Sequence, residues 1–228
     1  MSRDQDESHT LAAPKKALVA RSSAARYELA AHHATIIQQA QARFAAPPSE
    51  QFTLRDRAMA DNIVWLLEQA GPGARVMAWA HNGHVQLGSA NLPGENMGQR
   101  LQERLGKDYV SVGFIFNKGS YRASPSVSTP RQTIEVPLRP IVPGDTAEAF
   151  ERVGVPIFAV DLRAAPPGRV RDWLVAPHIF HSLGWLVVDA ERAGSRDSLA
   201  RLFDIAICVD RSTSSSRLPS AAPTASRP

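Results

Sequence analysis

Hydrophobic positions recur in two rhythms along these 228 residues. Between Thr53 and Ala70, Met59, Ile63, Leu66 and Leu67 fall at the three- and four-residue spacing of one helix face, and Gly71-Pro72-Gly73 closes the run. Residues 22–46, "SSAARYELAAHHATIIQQAQARFAA", are rich in helix formers and stop at Pro47-Pro48. Residues 95–105 read as a further helix closed by Gly106. Asp145 opens another, which ends near Gly154, with Glu148 three residues on in a variant capping box. "RVRDWLV", 169–175, is a short helix.

The second rhythm is the short apolar run bounded by turn residues, which predicts strands at "RVMAWA" (75–80), "YVSVGFIF" (109–116), "PIFAVDL" (156–162) and "FDIAICVD" (203–210). Looser strands fit 132–138 and "GWLVV" at 184–188. Runs such as "RVMAWA" and "IFAVDL" lack polar alternation, as expected of strands covered on both faces. Strands alternating with helices predict an α/β layered fold, a central mostly parallel or mixed sheet flanked by helices. Residues 1–20 read as a disordered leader, 21–212 as the folded domain, and 213–228 as a disordered Ser/Pro/Ala-rich tail. No internal repeat is visible.

Composition narrows the classes. With 43% hydrophobic residues the chain can bury a sizeable core. No stretch reaches the roughly 20 apolar residues a spanning helix needs. The polar start MSRDQDESHT is no signal peptide, so the expected location is cytoplasmic. Cys208 is the single cysteine, which excludes an internal disulfide and a thiolate metal cluster, and "AICV" around it reads as core. The net charge of +4 suggests nucleic-acid binding at first sight. However, residues 211–228 carry Arg211, Arg217 and Arg227 without an acid, so the rest of the chain is nearly balanced. Neither a nucleic-acid nor a membrane partner is expected.

Candidate chemistry centres on His81-Asn82-Gly83-His84, directly after the 75–80 run. Loops at the carboxyl ends of such strands are the usual ligand sites of open α/β sheets. Two imidazoles on one turn can act as general base and transition-state donor, or as two metal ligands; equally, one can cap the turn while the other is solvated. HxxH lacks the glutamate that makes HExxH specific, and no third metal ligand is nearby. Arg55, in "LRDRAMADN", either belongs to the solvated face of its helix or holds a carboxylate or developing oxyanion. His178 and His181 form a second HxxH that reads as loop or partly buried core, with metal ligation the minor alternative, and His32-His33 reads as helix surface. No phosphate loop, dinucleotide fingerprint or G-x-S-x-G elbow is present.

At these residues the sequence resembles the erythromycin esterase family. The likeness lies in "RDRAMADNIVWLLE" (55–68), "VMAWAHNGHV" (76–85), "MGQRLQERLGKDYVSVGFIFNKGSYRA" (97–123) and "LFDIAICVDRST" (202–213). It implies hydrolysis of a cyclic ester, as in a macrolide lactone, and with it antibiotic resistance, by histidine-assisted attack of water and without a cofactor. A divalent metal is the minor alternative. Carried over, His81 and His84 are the family's HNxH pair and Arg55 its R-D arginine. The family's G-E-x-x-H-G-type segment, which holds the water-activating histidine, has no counterpart here; the upstream histidines are His9 and His32-His33. The resemblance therefore implies the carboxyl-terminal portion of the family and an incomplete sheet with an unpaired edge. Its activity would need a partner supplying the amino-terminal half; otherwise the chain is an inactive fragment or interaction module.

Overall fold

The computed structural model describes residues 15–88, 92, 94–126, 132–181, 183–184, 186–187 and 194–216. The chain divides into two compact units, one formed by residues 1–78 and 93–97, the other by 79–92 and 98–228.

The first unit is helical: α1 (15–21), α2 (Ala24–Ala45) and α3 (Pro48–Ala70). Residues 15–20 are thus helical, within the stretch expected to be an irregular leader. Ser23 starts α2 by accepting the Arg26 N–H at 3.2 Å, satisfying one of the first-turn donors that have no intrahelical partner. Pro48 sits at the first position of α3, where its missing N–H costs nothing, so that helix starts five residues before the expected Thr53. It ends at Gly71 with φ 86°, a left-handed conformation that favours glycine. The two long helices meet through Asn62 Nδ2–H donating to Gln39 Oε1 at 3.1 Å. His32 also stacks flat on Trp65, with centroids 3.8 Å apart, so it is a packing residue and not free surface. Apolar burial is sparse: α2 buries no residue, and α3 buries only Asp56 and Ala60.

Residues 75–80 form neither helix nor strand. Val76, Met77 and Trp79 are 41, 91 and 83% exposed, so the buried strand expected there is absent from the described structure. Local composition was correctly strand-like. A strand also needs a neighbour for its main chain, and none of the described strands pairs with this run.

The second unit is built on a mixed four-stranded sheet, order β2-β1-β6-β3. Its strands are β1 (Val112–Ala123), β2 (Ile134–Pro137), β3 (Ile157–Asp161) and β6 (Ile205–Ser212). β1 and β6 run parallel, while β2 and β3 are antiparallel to their neighbours. This is the mixed α/β sheet that the alternating pattern predicts. A separate antiparallel pair joins β4 (His178–Phe180) to β5 (Ser195–Asp197). The expected 184–188 strand falls partly outside the described residues, and Leu186 makes an isolated bridge with Ser124.

Register divides the sheet into unlike faces. Gly113, Ile115 and Asn117 of β1, with Ala206 and Cys208 of β6, are buried. Gly113 lies so close to the Phe203 ring that an added Cβ would come within 2.7 Å of it. Phe150 of α6 (Thr146–Glu151) closes on Phe158 and on Trp173 of α7 (Arg169–Val175), at 5.8 and 6.2 Å. Buried here, the Cys208 thiol has its pKa pushed up to about 12, which confirms it as core. On the other face, rows such as Phe114-Ile207-Ala159 and Phe116-Val209-Ile157 are only half-covered or exposed. β3 is an edge strand with Ile157 64% exposed, which corrects the expectation of a strand covered on both faces.

Asp145 does open α6, but without the expected capping box. Its carboxylate is taken instead by both Arg139 guanidinium nitrogens, each at 2.9 Å, and by the Val142 N–H. Glu148 reaches back one residue further, accepting the Gly144 N–H at 2.9 Å.

Candidate active site

Asn82 to Val85 make a single helical turn, α4, and His81 is its N-cap. The His81 Nδ1 accepts the Gly83 N–H at 3.1 Å, which places the ring proton on Nε2, and Nε2–H donates to the Leu183 carbonyl. Both nitrogens of this exposed ring are thus engaged. His84 is half-buried one turn on, its ring centroid 6.5 Å from that of His81 and nearly perpendicular to it.

What fixes the turn is Asn82. Its amide donates to the Phe114 carbonyl at 2.8 Å and accepts the Phe114 N–H at 3.0 Å, the same pair of bonds a neighbouring strand would make. Two residues along, the His181 Nδ1–H donates to the Phe116 carbonyl at 2.9 Å. Side chains thus satisfy the outer edge of β1 at Phe114 and at the Phe116 carbonyl, before β2 takes over beyond Ser120. His181 is 4% exposed, and its Nε2 has no hydrogen-bond partner among the described residues. His178 stacks on Trp173 at 4.2 Å and bonds its carbonyl through Nε2. Both histidines of the second HxxH thus make main-chain hydrogen bonds within the fold.

The far end of the turn is held as firmly. The Val85 carbonyl accepts two hydroxyls, Tyr109 at 2.6 Å and Ser111 at 2.7 Å, and the Leu87 N–H donates to the Leu202 carbonyl at 2.8 Å. Burial raises the Tyr109 phenol to about 12, keeping it a donor at any physiological pH. Gly98, in α5 (Met97–Leu105), passes so close that an added Cβ would lie 2.2 Å from the Gln86 carbonyl oxygen and 2.4 Å from that of Val85. Both obstacles are backbone. Gly98→Ala is therefore expected to displace the turn and cost about 1–3 kcal/mol, read as a lowered urea midpoint. An unchanged midpoint would show that the helix can move away freely.

Of the residues singled out by sequence, His81 and His84 come together on one turn of the second unit. Arg55 belongs to the first unit, exposed on α3. Beside it, the fully buried residue of the R-D pair is Asp56, whose Oδ2 accepts the Met97 N–H at 2.9 Å. The Arg55 guanidinium lies 4.0 Å from the Asp56 carboxylate. Among the described residues no group of three or more His, Cys, Asp or Glu side chains could hold a metal ion. No described helix is long and apolar enough to cross a membrane. The sequence reading missed the roles of Asn82 and Asp56. A polar residue inside an otherwise functional motif was the available signal for both.

The second unit is thus a mixed α/β sheet with a histidine turn held on the edge of β1. Residues 3–212 match the erythromycin esterase family, and the chain belongs to that family. It is 25% identical over 133 residues to the putative hydrolase YbfO of Bacillus subtilis, which covers 55% of this chain and 29% of that protein. It is 36% identical over 80 residues to the erythromycin esterase type II of Escherichia coli, 33% of this chain and 19% of that one. Among solved structures, a Bacillus cereus protein superimposes with a TM-score of 0.77 at 24% identity, covering 93% of this chain and 54% of the other. An erythromycin esterase mutant in its open conformation does so with a TM-score of 0.58 at 18% identity, covering 92% and 54%. The chain thus spans about half the length of these solved relatives, and its matches cover less than a third of the curated ones.

Proposed function

We propose that this chain carries one part of the site of an ester hydrolase, which opens a macrolide lactone or a related carboxylic ester by attack of water. The reading rests above all on the HNGH turn, held rigid by Asn82 and by the two hydroxyls on Val85, with His81 and His84 on it. In such a reaction water adds to the carbonyl carbon, negative charge gathers on the carbonyl oxygen, and the C–O bond to the leaving alkoxide then breaks. A preorganised N–H donor lowers the barrier by meeting that charge without reorganising. His81 is suited to this role because its Nε2–H already faces a carbonyl oxygen, that of Leu183, and can exchange it for the substrate's. His84 and Arg55 are the further cationic or donor groups of this reading. The water-activating histidine comes from the amino-terminal portion of a family chain. The substrate class, a role in antibiotic resistance and a cytoplasmic location belong to the same proposal. A second reading, a non-catalytic interaction module, is favoured by one observation: both nitrogens of His81 are already used within the fold.

The test is incubation with a macrolide and with simple esters, alone and with an amino-terminal portion, following ring opening by mass spectrometry as the gain of one water. Turnover should appear with the added portion and fall about a hundredfold or more in His81→Ala. No product under either condition would leave the module reading standing.

A further inference from the structure

His181 is almost wholly buried, yet only one of its ring nitrogens is used. Nδ1–H donates to the Phe116 carbonyl at 2.9 Å, while Nε2 has no hydrogen-bond partner among the described residues. A bare nitrogen in the interior is costly, so a side chain that only filled space there would serve better as leucine. The single bond that His181 does make closes a circuit around the histidine turn. Asn82, next to His81, holds the main chain of Phe114 through two bonds. Two residues along β1, Phe116 holds His181, and two residues beyond His181 the Leu183 carbonyl accepts the His81 Nε2–H. Two residues of chain span at most about 7 Å, so pinning His181 to β1 keeps the Leu183 carbonyl close to the same strand edge. The next main-chain anchor among the described residues on that side, the Val187 N–H on the Ser124 carbonyl, would alone leave Leu183 a range of about 14 Å.

We infer that His181 is a positioning residue for His81. By its own bond to β1 it keeps the Leu183 carbonyl on the His81 Nε2–H, and so fixes which nitrogen of His81 carries the proton and where that proton points. The Gly83 N–H acts on the other nitrogen in the same sense, since Nδ1 must be bare to accept it. Together the two bonds select one tautomer, because the partner of each imidazole nitrogen sets the state of the other. The N–H that results is aimed, before any substrate arrives, along a line that already ends on a carbonyl oxygen. The inference rests on the proposed use of His81 as a donor to the ester oxygen, but the state of the ring can be measured without an ester.

The experiment labels the histidine nitrogens and leucine carbonyls of the full chain isotopically and reads them by NMR in alkaline buffer, where imidazole is neutral. The His81 signals are assigned by their loss in His81→Ala. In the wild-type protein His81 should show one tautomer, a protonated Nε2 and a bare Nδ1 with widely separated nitrogen shifts. In His181→Leu the two shifts should draw together as tautomers mix, and the Leu183 carbonyl carbon signal should move as its donor leaves. His181→Asn should restore the wild-type pattern, because an asparagine amide nitrogen stands where Nδ1 does and the unused Nε2 is not missed. His178→Leu loses its stack on Trp173 and the bond to that residue's carbonyl but keeps the pin on β1, so it should change nothing at His81. Mixed tautomers in the wild-type protein would overturn the inference, and that result needs no variant to fold. A wild-type pattern in His181→Leu, a failure of His181→Asn to restore it, or an equal change in His178→Leu would overturn it too, the last by marking a general loosening. No ester enters the measurement, so its failure leaves the hydrolase reading standing, and an absence of turnover leaves this inference standing.

Discussion

Asn82→Ala should lower stability by about 2–4 kcal/mol, because one amide serves two main-chain groups of β1 and its loss leaves both unpaired. Each such group costs about 1–3 kcal/mol when it has no partner and is sheltered from water. The effect should be specific in place as well as size. Hydrogen exchange at the Phe114 amide should accelerate far more than at Ile115, whose main chain faces β6. Asn82→Asp separates the two bonds: its carboxylate still accepts the Phe114 N–H but offers nothing to the carbonyl and repels it. It should therefore protect the Phe114 amide while still destabilising the fold. Urea unfolding with exchange read residue by residue checks both. Wild-type exchange at Phe114 in the Ala variant would mean that another group had closed the edge. The HNGH turn would then not depend on its asparagine.

Removing Arg139 should be costlier still. The Arg139 and Asp145 side chains are only 10 and 1% exposed and meet through two bonds of 2.9 Å. Taking one partner from a buried pair leaves the other's charge uncompensated, which costs about 3–5 kcal/mol. Arg139→Ala should thus unfold at a much lower urea concentration, and a loss below about 1 kcal/mol would show that water reaches Asp145. The pH dependence has a definite sign. Burial works against the charged form of Asp145, but the Arg139 guanidinium, the Val142 N–H and nearby His181 together hold its carboxyl below the ordinary value. A carboxyl depressed in the folded state contributes stability that is complete above its unfolded value, about 3.9. That contribution disappears as pH falls through the lower folded value. The stability gap between the wild-type protein and Arg139→Ala should accordingly be full near neutrality and shrink on acidification below pH about 3.9.

Legibility of the sequence followed the range of the forces involved. α2, α3, α7, β1 and β6 were readable from periodicity and stop residues, because the signals that start and end them lie within a few positions. The expected start of α3 was five residues late because Pro48 and the polar first turn carry no apolar pattern. The 75–80 run was misread for the opposite reason. Its composition is that of a buried strand, but pairing is a relation to another segment, and none of the described strands supplies it. At Asp145 the box pattern was present, yet Arg139, six residues upstream, outcompeted the local N–H because a charged, bidentate partner binds a carboxylate more strongly.

The sequence by itself determined the family and the α/β class. Each of these is written in contiguous residues whose chemistry or spacing survives without neighbours. Tertiary structure alone decided that Asn82 acts as a strand's substitute against Phe114, that His181 closes the edge at Phe116, and that one face of the sheet stays open. Those outcomes join residues 32 to 65 positions apart, or concern surfaces to which several strands contribute. Local pattern states which groups need a partner, and only the folded chain determines which partner comes within reach.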